Sequence, residues 1–426
     1  MKFVADFHIH SRYSRATSWH MDLENLDKWA RIKGIKVLGT GDFSHPEWFK
    51  SLKEKLEPAE IGLFKLKKQD NGTRFILTNE ISCIYSKKGR VRKIHILVFV
   101  PSFEIAEKIN VQLSWIGNLK ADGRPILGLD AKELAKIVLN ISEDCFIVPA
   151  HLMTPWFSLF GSKSGFDSLE ECFEDYSKYI FAGETGLSAS PAMLWRMPDG
   201  RKLTLISNSD AHSAPHLGRE ANVFEGDELS YKAIINAIKQ GNKIDLQPQT
   251  SNLKLIYTIE FFPEEGKYHF DGHRNCQIRL SPQETKKYNG ICPVCGRPLT
   301  IGVLNRVEEL ADRKEGFIPE RAIPFKSLVP LEEIIADALS CSTGTKGVEK
   351  EYKNLIEKLG SEFNILLDVP PESLQTVTLP EISEAIIRVR EGKVVKEPGY
   401  DGVYGKIRIF SPDERKKDSF KQKTLF

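Results

Sequence analysis

The sequence predicts an α/β barrel carrying a metal cluster, joined to a small Cys/His module and a helical C-terminal domain. Three observations point that way. Short β-type runs alternate with helical patterns over the first 250 residues, as in a parallel sheet or barrel. Histidines and carboxylates stand near the ends of those runs. Beyond them, His273, Cys276, Cys292 and Cys295 form two tight pairs of soft ligands.

Composition sets the outer limits. At 426 residues, with 41% hydrophobic and 28% charged, the chain is a globular protein too long for one ordinary core. The longest apolar run, near residues 94–100, falls far short of the roughly 18 residues a membrane-spanning helix needs. The opening residues run straight into Asp6, His8 and His10 with no secretory leader, so a cytoplasmic protein is expected. A net charge of +2 neither demands nor excludes nucleic acid. Seven cysteines, an odd number containing one tight pair, suit metal better than disulfides.

Taken in order, residues 3–9 read as a strand and 22–33 as a helix closed by Gly34, because glycine past a helical run is a common stop. Residues 35–40 form the next strand, and a helix begins at Pro46, whose fixed φ suits a first helical turn. Further strands are expected at 73–81, 91–100, 145–149, 179–183 and 203–208, with helices at 131–139 and 231–239. Residues 242–252, rich in Gln, Asn and Pro, read as a linker. The expected division is a barrel at 1–250, a metal-binding module at 251–305, a helical domain at 306–410 and a polar tail at 411–426. Its clearest helices are 331–339 and 348–359.

Chemistry begins at Asp6-Phe7-His8-Ile9-His10, where the two-residue period of a strand puts Asp6, His8 and His10 on one face. Near the ends of later strands stand Thr40-Gly41-Asp42, Asn79-Glu80, His95, His151 and Asp210-Ala211-His212. Strand ends converge on one mouth in a barrel. Carboxylate oxygen and imidazole nitrogen are what divalent cations bind, and a carboxylate such as Glu80 or Asp210 can bridge two ions. His8, His10, Asp42, Glu80, His95, His151, Asp210 and His212 are therefore the candidate ligands, and Asp210, Glu80 and Asp42 the candidate catalytic carboxylates.

These motifs resemble the polymerase and histidinol phosphatase (PHP) family, with its early HxH, Thr-Asp-His element, Glu, later histidines and final Asp-x-His. Thr40-Gly41-Asp42 departs from the second element, which replaces an imidazole by a carboxylate and leaves His45 as an alternative ligand. The resemblance implies a distorted (β/α)7 barrel, two or three divalent ions (Zn²⁺, with Mg²⁺ or Mn²⁺ for catalysis) and phosphate ester hydrolysis. The physical reading agrees, since such ions activate water and neutralise phosphate oxygens without a side-chain nucleophile.

His273-Arg274-Asn275-Cys276 and Cys292-Pro293-Val294-Cys295 have zinc-ribbon spacing, and four such ligands close a tetrahedron, so a structural Zn²⁺ is expected, with His269 as competitor for the fourth place. A small-molecule phosphatase has little use for these added parts, whereas an enzyme that grips a polymer does. Lys88, Arg90, Arg92, Lys93 and Arg274 are candidate phosphate contacts. Trp156, Phe157 and Phe166, on a loop after His151, are either faces on which an extruded base stacks or ordinary core.

Taken whole, from Ala5-Asp6-Phe7-His8-Ile9-His10-Ser11 through the Cys module, the chain is similar to PHP-barrel repair nucleases that carry a zinc module and a helical C-terminal region. That resemblance implies cutting of DNA 5′ of a deaminated base (uracil, hypoxanthine, xanthine) or an abasic site. Gln422, Leu425 and Phe426 resemble a peptide that docks on a sliding clamp, whether PCNA or the bacterial clamp. Two other readings compete: a phosphatase of small phosphate esters, and a non-catalytic protein recruiting the clamp to DNA.

Overall fold

A computed structural model of the protein describes residues 1–69, 72–241, 252–411 and 414. The candidate clamp peptide and all of the expected linker except Asn252 lie outside the described residues.

Seven strands form the barrel: β1 (Lys2–Asp6), β2 (Ile35–Gly39), β3 (Arg74–Lys87), β4 (Arg90–Val100), β5 (Phe146–Pro149), β6 (Ala182–Glu184) and β7 (Thr204–Ile206). β1, β2 and β3 pair in parallel, β4 runs antiparallel between β3 and β5, and β6 pairs in parallel with β7. β5 meets β6 where Leu152 N donates to Glu184 O (2.9 Å), and the ring closes where His10 N donates to Ala211 O (3.0 Å). Every strand adds a residue to one buried cluster (Ala5, Val37, Ile76, Leu97, Val148, Ala182, Ile206), so the interior is filled rather than open.

The distortion has a local cause. β3 and β4 are joined by the two-residue turn Lys88-Gly89, with φ of 51° and 73°. Positive φ at both positions matches the twist of a tight hairpin, and glycine takes the second at no steric cost. The chain therefore returns antiparallel at once, without the helix a parallel neighbour needs.

The surrounding helices bury one apolar stripe each. In α1 (Leu23–Lys33) the stripe includes Leu23, Leu26 and Ala30, and Asp22 caps the start by accepting from Asn25 N. α2 (Pro46–Lys55), α3 (Phe103–Ser114), α4 (Ala131–Ile141) and α5 (Tyr231–Gln240) complete this layer. Among the described residues no helix is long and apolar enough to cross a membrane.

β8 (Ala221–Glu225) lies antiparallel on the other edge of β1, followed by β9 (Lys254–Glu260). β9 thus belongs to the main sheet, although the sequence grouped residues 251–305 with the Cys module. That module is a hairpin, β10 (Asp271–His273) and β11 (Ile278–Leu280), followed by α6 (Val303–Leu310). β12 (Phe325–Ser327) returns to pair in parallel with β9.

The C-terminal helices are α7 (Leu331–Ala338), α8 (Lys346–Leu359), α9 (Glu362–Leu367), α10 (Pro371–Val377) and α11 (Pro380–Arg390). Their apolar faces share one core with the outer layer of the barrel. A buried ion pair fastens them to α1: Lys33 Nζ lies 2.7 Å from Glu362 Oε2. Glu362 also accepts from Leu331 N (3.1 Å) and the Tyr352 hydroxyl (2.6 Å), so its charge is well compensated.

Candidate metal centre

At the barrel mouth, side chains from most of the strands converge. His8 and His10 follow β1, Glu80 lies in β3, His95 in β4, His151 just past β5, and Asp210 beyond β7. They form two ligand groups, His8–His10–Glu80–Asp210 and Glu80–His95–His151, in each of which the donor atoms lie within 4.8 Å of one another. Glu80 belongs to both. Its Oε2 is 3.2 Å from His10 Nε2 and 3.5 Å from His8 Nε2, while Oε1 is 2.6 Å from His95 Nδ1 and 3.0 Å from His151 Nε2. Asp210 Oδ1 lies 3.0 Å from His10 Nε2.

This donor set fits divalent cations. His8 Nε2, His10 Nε2 and Asp210 Oδ1 are buried without a hydrogen-bond partner, an expensive condition that a bound cation relieves. Charge points the same way. Burial opposes protonation of His8, yet Glu184, Glu80 and Asp210 hold it well above the ordinary imidazole value. Burial likewise opposes charge on His10, and Asp42, Asp210 and Glu80 outweigh it. The pocket thus has an excess of negative charge. Burial pushes His95 down to about 4, leaving the neutral imidazole that metals bind.

A supporting layer fixes the ligand atoms. Glu184, which the sequence did not bring into view, accepts from His8 Nδ1 (3.0 Å), His151 N (2.9 Å) and Asn208 Nδ2 (2.9 Å). Asp6 accepts from Ser209 N (3.1 Å) and Gly218 N (3.0 Å), and so fastens the Asp210 loop to β1. Asp42 corrects an expectation. Its Oδ1 faces His10 Nδ1 at 3.1 Å, and its Oδ2 accepts from Ser11 N, Ser11 Oγ and Ser14 Oγ at 2.6 to 2.8 Å. It stands behind His10 and belongs to neither ligand group. His45 is also outside both groups, stacked on Tyr13 at 4.4 Å. His212 flanks them, its ring 4.6 Å from that of His10 and its Nδ1 2.8 Å from Asp210 O. Asp42, His151 and Asp210 all have positive φ (51°, 31° and 47°), backbone strain of the kind that gathers at functional sites.

In the Cys module, His273, Cys276, Cys292 and Cys295 bring four ligand atoms within 4.8 Å of one another. His269 is apart from them, buried and stacked on Phe270 at 5.5 Å.

Comparison with solved structures decides the family. The lesion-specific endonuclease PfuEndoQ from Pyrococcus furiosus superposes with a TM-score of 0.84 at 32% identity, over 96% of this chain and 95% of its own. The chain belongs to the endonuclease Q family. A second endonuclease Q structure, in complex with a 27-mer duplex bearing an abasic lesion at the active site, matches with a TM-score of 0.83 at 32% identity, covering 97% of this chain and 98% of that one. A PHP-associated family model matches residues 198–242, and the MJ0043 C-terminal domain matches residues 330–393. A Methanocaldococcus jannaschii protein, MJ0043, is 37% identical over 61% of this chain, and that match spans 32% of its own length. As an endonuclease Q, the protein is a metal-dependent DNA-repair endonuclease with a PHP domain.

The other candidate DNA contacts divide into surface and core. Lys88 and Arg90 are exposed at the tip of the β3–β4 hairpin, and Arg274 is exposed on the Cys module. Trp156 is 39% exposed and meets Tyr268 edge-on at 5.5 Å. Phe157 borders the metal cluster, 4.7 Å from the His95 ring, and Lys93 lies over its face at 5.2 Å. Arg92 departs from the sequence reading, and of the two alternatives open for Phe166 the structure has it in the core. Phe166 is 1% exposed, and Arg92 stacks on it at 4.0 Å while donating to Gly165 O. Both are interior groups that shape the loop after His151.

Proposed function

We propose that this endonuclease Q hydrolyses the phosphodiester 5′ of a deaminated base or an abasic site, with ions held by His8, His10, Glu80 and Asp210 in one place and Glu80, His95 and His151 in the other. The observation that carries the reading is Glu80, whose two oxygens each face a different ligand group. Bound there, Zn²⁺, Mg²⁺ or Mn²⁺ would activate a water and neutralise the phosphate. The chain's own part is to hold geometry: Glu184 fixes the ring of His8, Asp42 fixes that of His10, and Phe157 walls one side of the pocket. The relative bound to an abasic duplex supports a duplex substrate. A mispaired deaminated base costs less to extrude than a paired one, which gives selection a starting point. His273, Cys276, Cys292 and Cys295 are assigned a structural Zn²⁺, and Gln422, Leu425 and Phe426 a sliding clamp.

The test uses end-labelled duplexes carrying uracil, hypoxanthine, xanthine, an abasic site or no lesion. Wild type with Mg²⁺ or Mn²⁺ is expected to nick 5′ of the lesion, and Asp210→Ala to lose roughly 10³-fold or more in rate while folding normally. Folded, metal-loaded wild type that leaves every duplex intact yet hydrolyses a small phosphomonoester would instead establish the phosphatase.

A further inference from the structure

Between α3 and α4 the turn Asp122-Gly123-Arg124-Pro125 is held from several sides. Gly123 N donates to Tyr13 O (3.0 Å), Ser82 N to Pro125 O (3.0 Å), and Arg124 N and Arg15 N both donate to Asp122 Oδ1 (3.1 and 3.3 Å). A β-carbon at position 123 would collide with Asp42 Oδ2 and Ser14 Oγ. The turn is thus pressed against the carboxylate that orients His10, and only glycine fits there.

From this turn Arg124 sends Nη1 to 3.0 Å from Glu80 Oε2, the oxygen that also faces His8 and His10. Its side chain is 23% exposed while Glu80 is buried, so the guanidinium borders both the cluster and the solvent through which a substrate arrives. Guanidinium carries five N–H donors in a planar fork and keeps its proton at any working pH. Among the described residues one of those donors, on Nη1, has a protein partner. The candidate ligands beside it are carboxylate and imidazole, with Phe157 on one side, and the carboxylates by themselves repel an incoming phosphodiester. A fixed cation with free donors at that border is complementary to two phosphate oxygens.

We propose that Arg124 clamps the scissile phosphodiester by donating to a non-bridging oxygen, a contact that tightens as charge accumulates there during hydrolysis. The proposal rests on reading the cluster as the centre that cuts DNA. It assigns a substrate-touching role to a side chain that no motif marks. The competing role is purely structural, with Arg124 neutralising Glu80 so that the ligands stay in place.

Three readouts on full-length Arg124→Ala and Arg124→Lys separate the two. Bound metal is counted by elemental analysis, single-turnover cleavage is timed on an abasic duplex, and the timing is repeated with each phosphorothioate diastereomer at the scissile linkage. We expect Arg124→Ala to keep wild-type metal and melting temperature while losing roughly 10²- to 10³-fold in rate, as when one charge-stabilising donor is removed. Arg124→Lys should recover part of that loss, and it keeps the test open if the alanine variant does not fold. The diastereomer that slows wild type should matter less in Arg124→Ala, because the oxygen it replaces no longer has its partner. Loss of metal in step with rate, or the same diastereomer effect in both proteins, overturns the clamp and leaves the nuclease standing. Wild type that cuts no lesion duplex at all overturns the nuclease reading, and the clamp with it.

Discussion

Glu184 touches no candidate ligand atom, yet it sets the direction of one. It accepts from His8 Nδ1, which leaves Nε2 as the lone-pair nitrogen aimed at the cluster, and it fixes the backbone of His151 as well. Glu184→Gln should therefore weaken metal binding by roughly 10- to 100-fold. Calorimetric titration with Mn²⁺ checks this, and unchanged affinity would mean that packing alone orients His8. Such supporting residues are the least legible part of a sequence. His8 and Glu184 are separated by 176 positions, so no spacing links them. Arg124 is hidden in the same way, in an ordinary Asp-Gly turn. That His8, His10, Glu80, His95, His151 and Asp210 gather at one mouth is legible because periodicity locates the strand ends on which they stand. Asp42 was misread because a carboxylate after β2 looks the same whether it faces an ion or an imidazole.

The loop from His151 to Phe166 is fixed from two directions. Against β4, His95 N donates to Phe157 O (3.0 Å) and Lys93 N to Ser164 O (3.3 Å), so the loop occupies donors of that strand. From the Cys module side, buried Arg306 in α6 donates to Phe160 O (3.0 Å) and Phe166 O (3.2 Å), while Asp271 in β10 accepts from Gly302 N (2.6 Å) at the start of that helix. Arg306 thereby steadies the far part of the loop whose near part carries Phe157 beside the cluster. Arg306→Ala should slow cleavage by roughly 10- to 100-fold through misplacement of the loop, with metal content unchanged. A variant with wild-type rate would show that β4 positions the loop unaided. This packing explains why Arg92 reads as a DNA contact and why Phe166 stays open between base face and core: basic and aromatic residues near a candidate ligand look available until the loop that buries them is seen. The β3–β4 hairpin was seen as two strands, but its inner six residues, 82–87, were missed because no alternation marks them.

Across the whole molecule, one sheet joins the catalytic barrel to the C-terminal half, and its interior stores a charge cost. Burial raises Glu260 in β9 to about 7, and burial together with Glu260 raises Glu220 well above the usual carboxylate range. The native state therefore holds a proton on Glu260 that the unfolded chain, with an ordinary value of 4.5, releases earlier. Stability from that proton is complete below about pH 4.5 and is lost as pH rises through about 7. Glu260→Gln should melt at a higher temperature than wild type at pH 8, by up to about 3 kcal/mol in stability, and show little difference at pH 5. Equal melting curves at both values would mean that the carboxylate is compensated as an anion. The alternating pattern made the barrel legible, whereas the sheet's extension through β8, β9 and β12 was not, since strands at 221–225 and 325–327 are too short to announce their partners. That extension governs how the chain is born. β1 is made some two hundred residues before its partners at residues 222–225, as Ile9 just beyond it is made before Ala211. Pairings so distant in sequence form slowly, and the first strand must wait with one edge open. The waiting has a consequence: any chain released short of residue 210 lacks Asp210 and the seam at Ala211, so it cannot complete the His8–His10–Glu80–Asp210 group.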